Sequence, residues 1–170
     1  GAGKDKDFLI IELGGTVGDI EGLPFMESIR EIRHELQDKV MSIHVTLIPY
    51  IAAAGELKTK PTQHSVQELR RIGIMPHMLV CRTERKLPNE LKRKLAMSCD
   101  VPEDSVIECG DAATIYQVPM NFLKEDILTP IAKHFRMDEI KPEMDEWDNL
   151  VKHIVAPKDE VNIAFVGKYL

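Results

Sequence analysis

No apolar run in this 170-residue chain reaches the length of a membrane span, and no signal peptide is visible. A membrane partner is therefore not expected. Positive charge is also in deficit: 22 Lys and Arg stand against 28 Asp and Glu, a formal charge of −6. That balance argues against bulk electrostatic binding of nucleic acid but leaves room for a local basic pocket. Cysteine is rare and odd in number, and Cys81, Cys99 and Cys109 form no CxxC pair. Cys81 and Cys109 fall in apolar runs, so they read as small core residues in a reducing compartment. Internal repeats and low-complexity tracts are absent too. With 44% hydrophobic and 29% charged residues, what remains is an ordinary globular composition, long enough for a real core. The working expectation is a cytoplasmic enzyme domain.

A phosphate loop is missing where one first suggests itself. Residues 1–7 (GAGKDKD) contain GAGK, but that motif needs an earlier glycine and a Ser or Thr after the lysine. Here Asp5 follows Lys4, so the segment reads as a loop.

The informative stretch comes next. Residues 8–21 read FLIIELGGTVGDIE. An apolar, partly β-branched run marks a buried strand, and Glu12 stands where that run ends. Gly14, Gly15 and Gly18 follow, then Asp19 and Glu21. Open α/β sheets place ligands at such a strand end, and glycine lets backbone approach them closely. A tight turn with its acids in solvent fits the same spacing.

Further along, residues 23–37 carry apolar side chains at Phe25, Ile29, Ile32 and Leu36, the spacing of a helix packing one face on a sheet. Residues 40–50 read as a buried strand ended by Pro49, with His44 a satisfied core histidine. Residues 51–65 (IAAAGELKTKPTQHS) break at Gly55 and bring Lys58, Thr59 and Lys60 ahead of a helix predicted over 62–72. Ser65 and Glu68 have capping-box spacing. Lysines, hydroxyls and N–H groups at a helix start suit a polyphosphate. A solvated basic loop is the simpler reading of the spacing alone.

Strands follow at 78–81 and 106–109, with a short helix at 89–97 whose Lys92, Arg93 and Lys94 read as a solvated face. Strand and helix alternate, so the fold class is α/β, a mostly parallel sheet with helices on both faces. After Tyr116, prolines separate short helical pieces. A helix is predicted over 143–154, then a charged linker, then a fresh apolar strand at 161–166. A strand needs neighbours, so the sequence reads as cut just as a second domain begins.

ELGGTVGDIE at 12–21, GELKTKPTQHS at 55–65 and VNIAFVGKY at 161–169 together resemble the CTP synthase family. The likeness runs through nearly the whole chain from Phe8. It implies a P-loop-like (dethiobiotin synthetase-like) amidoligase domain, incomplete here. Residues 1–142 correspond to its latter part, 143–160 to a helix and linker, and 161–170 to the first strand of a glutaminase domain. The implied activity is ATP-dependent: UTP is phosphorylated on its 4-oxygen and ammonia from glutamine displaces the phosphate to give CTP.

By the same resemblance Glu12 matches a Mg²⁺-binding glutamate, and Asp19 and Glu21 match acids contacting CTP bound as feedback inhibitor. Lys58, Thr59, Lys60 and Gln63 match the loop holding the UTP or CTP triphosphate, and Lys94 a further triphosphate lysine. Asp111 and Ala112 fall where the family contacts the adenine of ATP, although CGDAAT around them is less typical. Shared phosphate contacts imply a homotetramer. The family's phosphate loop, ATP lysine and second Mg²⁺-binding aspartate lie upstream of the matched region, and its glutaminase residues lie downstream. The chain alone is thus expected to lack synthetase and glutaminase activity. Two other readings remain open: another ATP-dependent ligase of the dethiobiotin synthetase type, and a nucleotide-binding regulatory or assembly module without catalysis.

Overall fold

The computed structural model of the chain describes residues 5–168. The GAGK of residues 1–4 and the last two residues of the 161–170 segment lie outside the described residues. Three strands form a parallel sheet in the order β1 (Ile43–Leu47), β4 (Met78–Thr83), β5 (Val106–Gly110). A two-residue antiparallel hairpin, β2 (Tyr50–Ile51) and β3 (Glu56–Leu57), stands at the carboxyl end of β1. Gly55, at φ +65°, closes its turn, a conformation that favours glycine.

Helices cover both faces, as the alternation predicts. On one face α2 (Lys60–Arg71) and α3 (Asn89–Cys99) bury Val66, Leu95 and Cys99 against Leu79, Cys81 and Val106. On the other, Met78, Val80 and Ile107 meet Phe122 of α4 (Val118–Lys124) and Ile131 of α5 (Leu128–Phe135). A last helix, α6 (Asp145–Val155), follows, with its Trp147 indole N–H donating to the Tyr116 carbonyl at 2.7 Å. Among the described residues no helix is long and apolar enough to cross a membrane.

Four expectations need correction. The run at 8–12 joins no ladder, and Ile10 is 92% exposed. Apolar pattern alone does not make a strand; a hydrogen-bonding edge must accept it. The Phe8 ring does lie edge-on to Phe135, with centroids 5.5 Å apart. The helix expected at 23–37 forms as α1 (Leu23–Leu36), but Phe25, Ile32 and Leu36 face solvent and no residue in it is buried. Its amphipathic stripe has no sheet to lie on. Finally β1 is half-buried: His44 and Thr46 point inward, while Ile43, Val45 and Leu47 are exposed. Residues 161–168 likewise form no strand and are exposed, as an apolar run without a neighbour must be.

Candidate functional site

The carboxyl ends of β1, β4 and β5 converge on a crevice of about 270 Å³ lined by Pro49, Tyr50, Arg82, Glu84 and Asp111. Backbone bonds carry the sheet past its ladder there: Ile48 N–H donates to the Arg82 carbonyl at 2.8 Å, and Asp111 N–H to that of Thr83 at 3.2 Å. The Thr83 hydroxyl turns the chain by donating to the Arg85 carbonyl at 2.9 Å. Arg85 in turn lies over the Tyr50 ring, 5.1 Å from its centre. A parallel sheet's ligand crevice is expected at this end. Asp111 lines this crevice, with half-buried Ala112 next in the chain. The apolar strand ending in Arg82 carries the same signal that singled out Glu12, a charge at a strand's carboxyl end. Sequence reasoning passed over it.

The basic group adjoins this crevice through the hairpin. Lys58 N–H donates to the Pro49 carbonyl at 2.9 Å, which fixes the chain as it leaves β3. Thr59 then turns into α2, which begins at Lys60, two residues earlier than predicted. Ser65 is consequently inside the helix rather than capping it, and its hydroxyl meets Nε2 of His44 at 2.9 Å. Thr46 donates to Thr62 across the same interface at 3.0 Å. The predicted loop thus divides by burial. Thr59 and Gln63 are buried and tied to each other, the Gln63 amide donating to the Thr59 hydroxyl at 3.1 Å. Lys60 is exposed and Lys58 half-buried, its ammonium paired with the Glu56 carboxylate. The Lys58 hydrogen bond and charge hold the Glu56 carboxyl below its usual range, and the Lys94 charge adds to this. Lys94, exposed on α3, thus acts through its charge on the same carboxylate that Lys58 touches. Sequence spacing offered no sign of that interaction.

The acidic segment stands apart. Gly15 and Gly18 take φ of +88° and +102°, the turn the glycines forecast. Asp19 closes it by accepting Thr16 N–H on Oδ2 at 3.0 Å. Glu12, Asp19 and Glu21 are all exposed. Among the described residues no hydrogen bond or ion pair joins them to Lys58, Lys94 or Asp111. Nor do the described residues hold a cluster of three metal-ligating side chains. Glu12 alone fits the kind of Mg²⁺ site in which substrate phosphates and water complete the shell, and does not fit an all-protein cage.

The cysteines carry no nucleophile's environment. Burial pushes the Cys81 thiol up to about 12, and burial raises Cys99 and Cys109 as well. A reactive thiol needs the opposite shift. Cys109 is half-buried, a less enclosed place than its strand position implied.

A larger cavity of about 650 Å³ lies at the other end of the sheet, between α1, the turn before β4 and α5. None of the residues proposed from sequence lines it. Its floor is a histidine pair with rings 4.5 Å apart. His77 Nδ1 accepts Ser42 N–H at 2.9 Å, and His134 Nε2 donates to the Val40 carbonyl at 3.1 Å. Burial first, then the nearby His134 and Arg33, lowers His77 to about 4. Both rings are engaged in pinning the start of β1. Size alone therefore does not make this cavity the site; strand polarity favours the smaller crevice.

Comparison with known proteins agrees with the motifs. Residues 1–137 match the family described as CTP synthase N-terminus. The chain is 69% identical over 170 residues to the CTP synthase of Wolinella succinogenes, covering 99% of this chain and 31% of that protein. It is 65% identical over 168 residues to the CTP synthase of Nautilia profundicola, covering 98% and 31%. With the CTP synthase of Campylobacter jejuni it shares 61% over 170 residues, covering 99% and 31%. The chain thus spans about 31% of the length of these relatives.

Proposed function

The chain belongs to the CTP synthase N-terminus family, and from that premise we propose that it serves the pyrimidine-nucleotide half of a glutamine-hydrolysing CTP synthase. The observation that carries this reading is the Lys58–Glu56 pair just ahead of α2, with the charge of Lys94 acting on the same carboxylate. Cationic side chains grouped near a helix start and opening toward a strand-end crevice suit a nucleoside triphosphate.

In this reading UTP rests its triphosphate on Lys58, Lys60 and Lys94. The buried Thr59–Gln63 pair holds the loop that presents them. The γ-phosphoryl of ATP passes to the uracil 4-oxygen and ADP leaves. Ammonia released from glutamine then adds at C4, the phosphate departs with that oxygen, and loss of a proton gives CTP. Lysines act here by position and charge, which is most of what phosphoryl transfer asks of a protein. Asp111, which lines the crevice, and the neighbouring Ala112 would meet the adenine of ATP. Mg²⁺, when bound, neutralises phosphate charge, and Glu12 is the residue of this chain that would help hold it. Asp19 and Glu21 recognise CTP as feedback inhibitor, a homotetramer completes the phosphate contacts, and the setting is cytoplasmic. The 170-residue chain alone binds nucleotide without turnover.

The test is a full-length Wolinella succinogenes enzyme in which this segment replaces its counterpart, with and without Lys58→Ala. A lost charge-assisted contact should raise the KM for UTP about tenfold or more, with that for glutamine unchanged. Unaltered UTP kinetics would remove the loop from the substrate site.

A further inference from the structure

Glu56 and Lys58 lie two residues apart across the end of β3, a spacing that puts both side chains on one face of the strand. Their carboxylate and ammonium are in contact, with the charge of Lys94 near the same carboxylate. Both side chains of the contact reach solvent, at 44% and 56% exposure. Such a pair contributes little to stability and breaks easily. A carboxylate set among lysines has the charge and the oxygen acceptors of a phosphate.

We propose that Glu56 is an internal stand-in for a nucleotide phosphate: it occupies Lys58 when the site is empty and must be displaced when a triphosphate arrives. This rests on the reading of Lys58 and Lys94 as triphosphate ligands and adds to it a residue that sets their affinity. Displacing the carboxylate costs little, because a solvent-reaching pair of this kind is weak. The displaced carboxylate then opposes the bound polyanion, so the site releases nucleotide more readily than three lysines alone would allow. The device works through charge and must be weaker at high salt, because exposed charges are screened.

The test is titration of the 170-residue chain with inorganic triphosphate and, separately, with UTP, followed by calorimetry at low and high salt. Glu56→Gln should bind both about two- to fivefold more tightly than the parent chain, with the gain shrinking as salt rises. Lys58→Ala should bind both more weakly. Glu103→Gln removes an equal charge at an exposed position beyond α3 and should change nothing. If Glu56→Gln binds as the parent does or more weakly while Lys58→Ala still weakens binding, the stand-in role is wrong and the triphosphate site remains. An equal gain from Glu103→Gln reduces the effect to overall charge and also overturns the role. If Lys58→Ala has no effect, the site reading falls, and the role of Glu56 falls with it.

Discussion

β1 and β4 are neighbours in one parallel ladder, yet they are buried to different degrees. Met78, Leu79, Val80 and Cys81 of β4 are all enclosed, because α2 and α3 lie on one face and α4 and α5 on the other. In β1 only the α2 side is covered. His44 and Thr46 find partners there, while Ile43, Val45 and Leu47 remain in solvent. Residues 8–11 and the apolar stripe of α1 share that condition. An apolar pattern states what a segment can bury. Whether it does so depends on a second surface, which for β4 lies within the chain.

The sharpest way to break this contrast is a pair of truncations. Leu95, fully enclosed on the inner face of α3, should cost about 2–5 kcal/mol when changed to Ala, from lost transfer energy and the cavity left behind. Val45, 62% exposed on the open face of β1, should cost less than about 0.5 kcal/mol. Urea unfolding of both variants measures the difference. A Val45→Ala penalty near that of Leu95→Ala would mean the β1 face is covered in solution.

A smaller effect sharpens the same boundary through pH. His77 pins the entrance of β1 to β4 as a neutral ring, with a value near 4 in the fold against an ordinary 6.5. Between those values the unfolded chain binds the proton and the fold resists it. Stability is thus complete above about pH 6.5 and declines as pH falls toward 4. In His77→Asn that decline should flatten, because the carboxamide oxygen can still accept Ser42 N–H but does not titrate. Thermal unfolding across this range reads it. An unchanged slope would assign the acid sensitivity elsewhere.

The sheet strands, the alternation with helices and the glycine turn were legible because each is written in local pattern. The run of β-branched and apolar residues in β4 has one sensible reading. Glu12 to Glu21 was legible as a turn for the same reason, since Gly15 and Gly18 must supply positive φ. What could not be read was meeting across distance. By spacing alone Lys94 is one of three cations on a solvated helix face; only the family resemblance set it with the loop lysines, and in the fold its charge acts on Glu56. Arg82 was passed over because its neighbours made it one residue of a polar loop. The start of α2 was missed because Lys60 and Pro61 look like loop, although proline suits a helix's first turn. The open side of β1 was missed because no pattern within a strand says whether its partner is present.

The account turns on the claim that Lys58 and Lys94, rather than the larger histidine-lined cavity, receive the pyrimidine triphosphate. Nuclear magnetic resonance titration of the 170-residue chain with UTP tests it most directly. The account predicts saturable shifts at the amides of Lys58, Thr59, Gln63 and Lys94, with those of His77 and His134 unmoved. Saturable shifts centred on Arg33, His77 and His134, or none at Lys58 and Lys94, would contradict it.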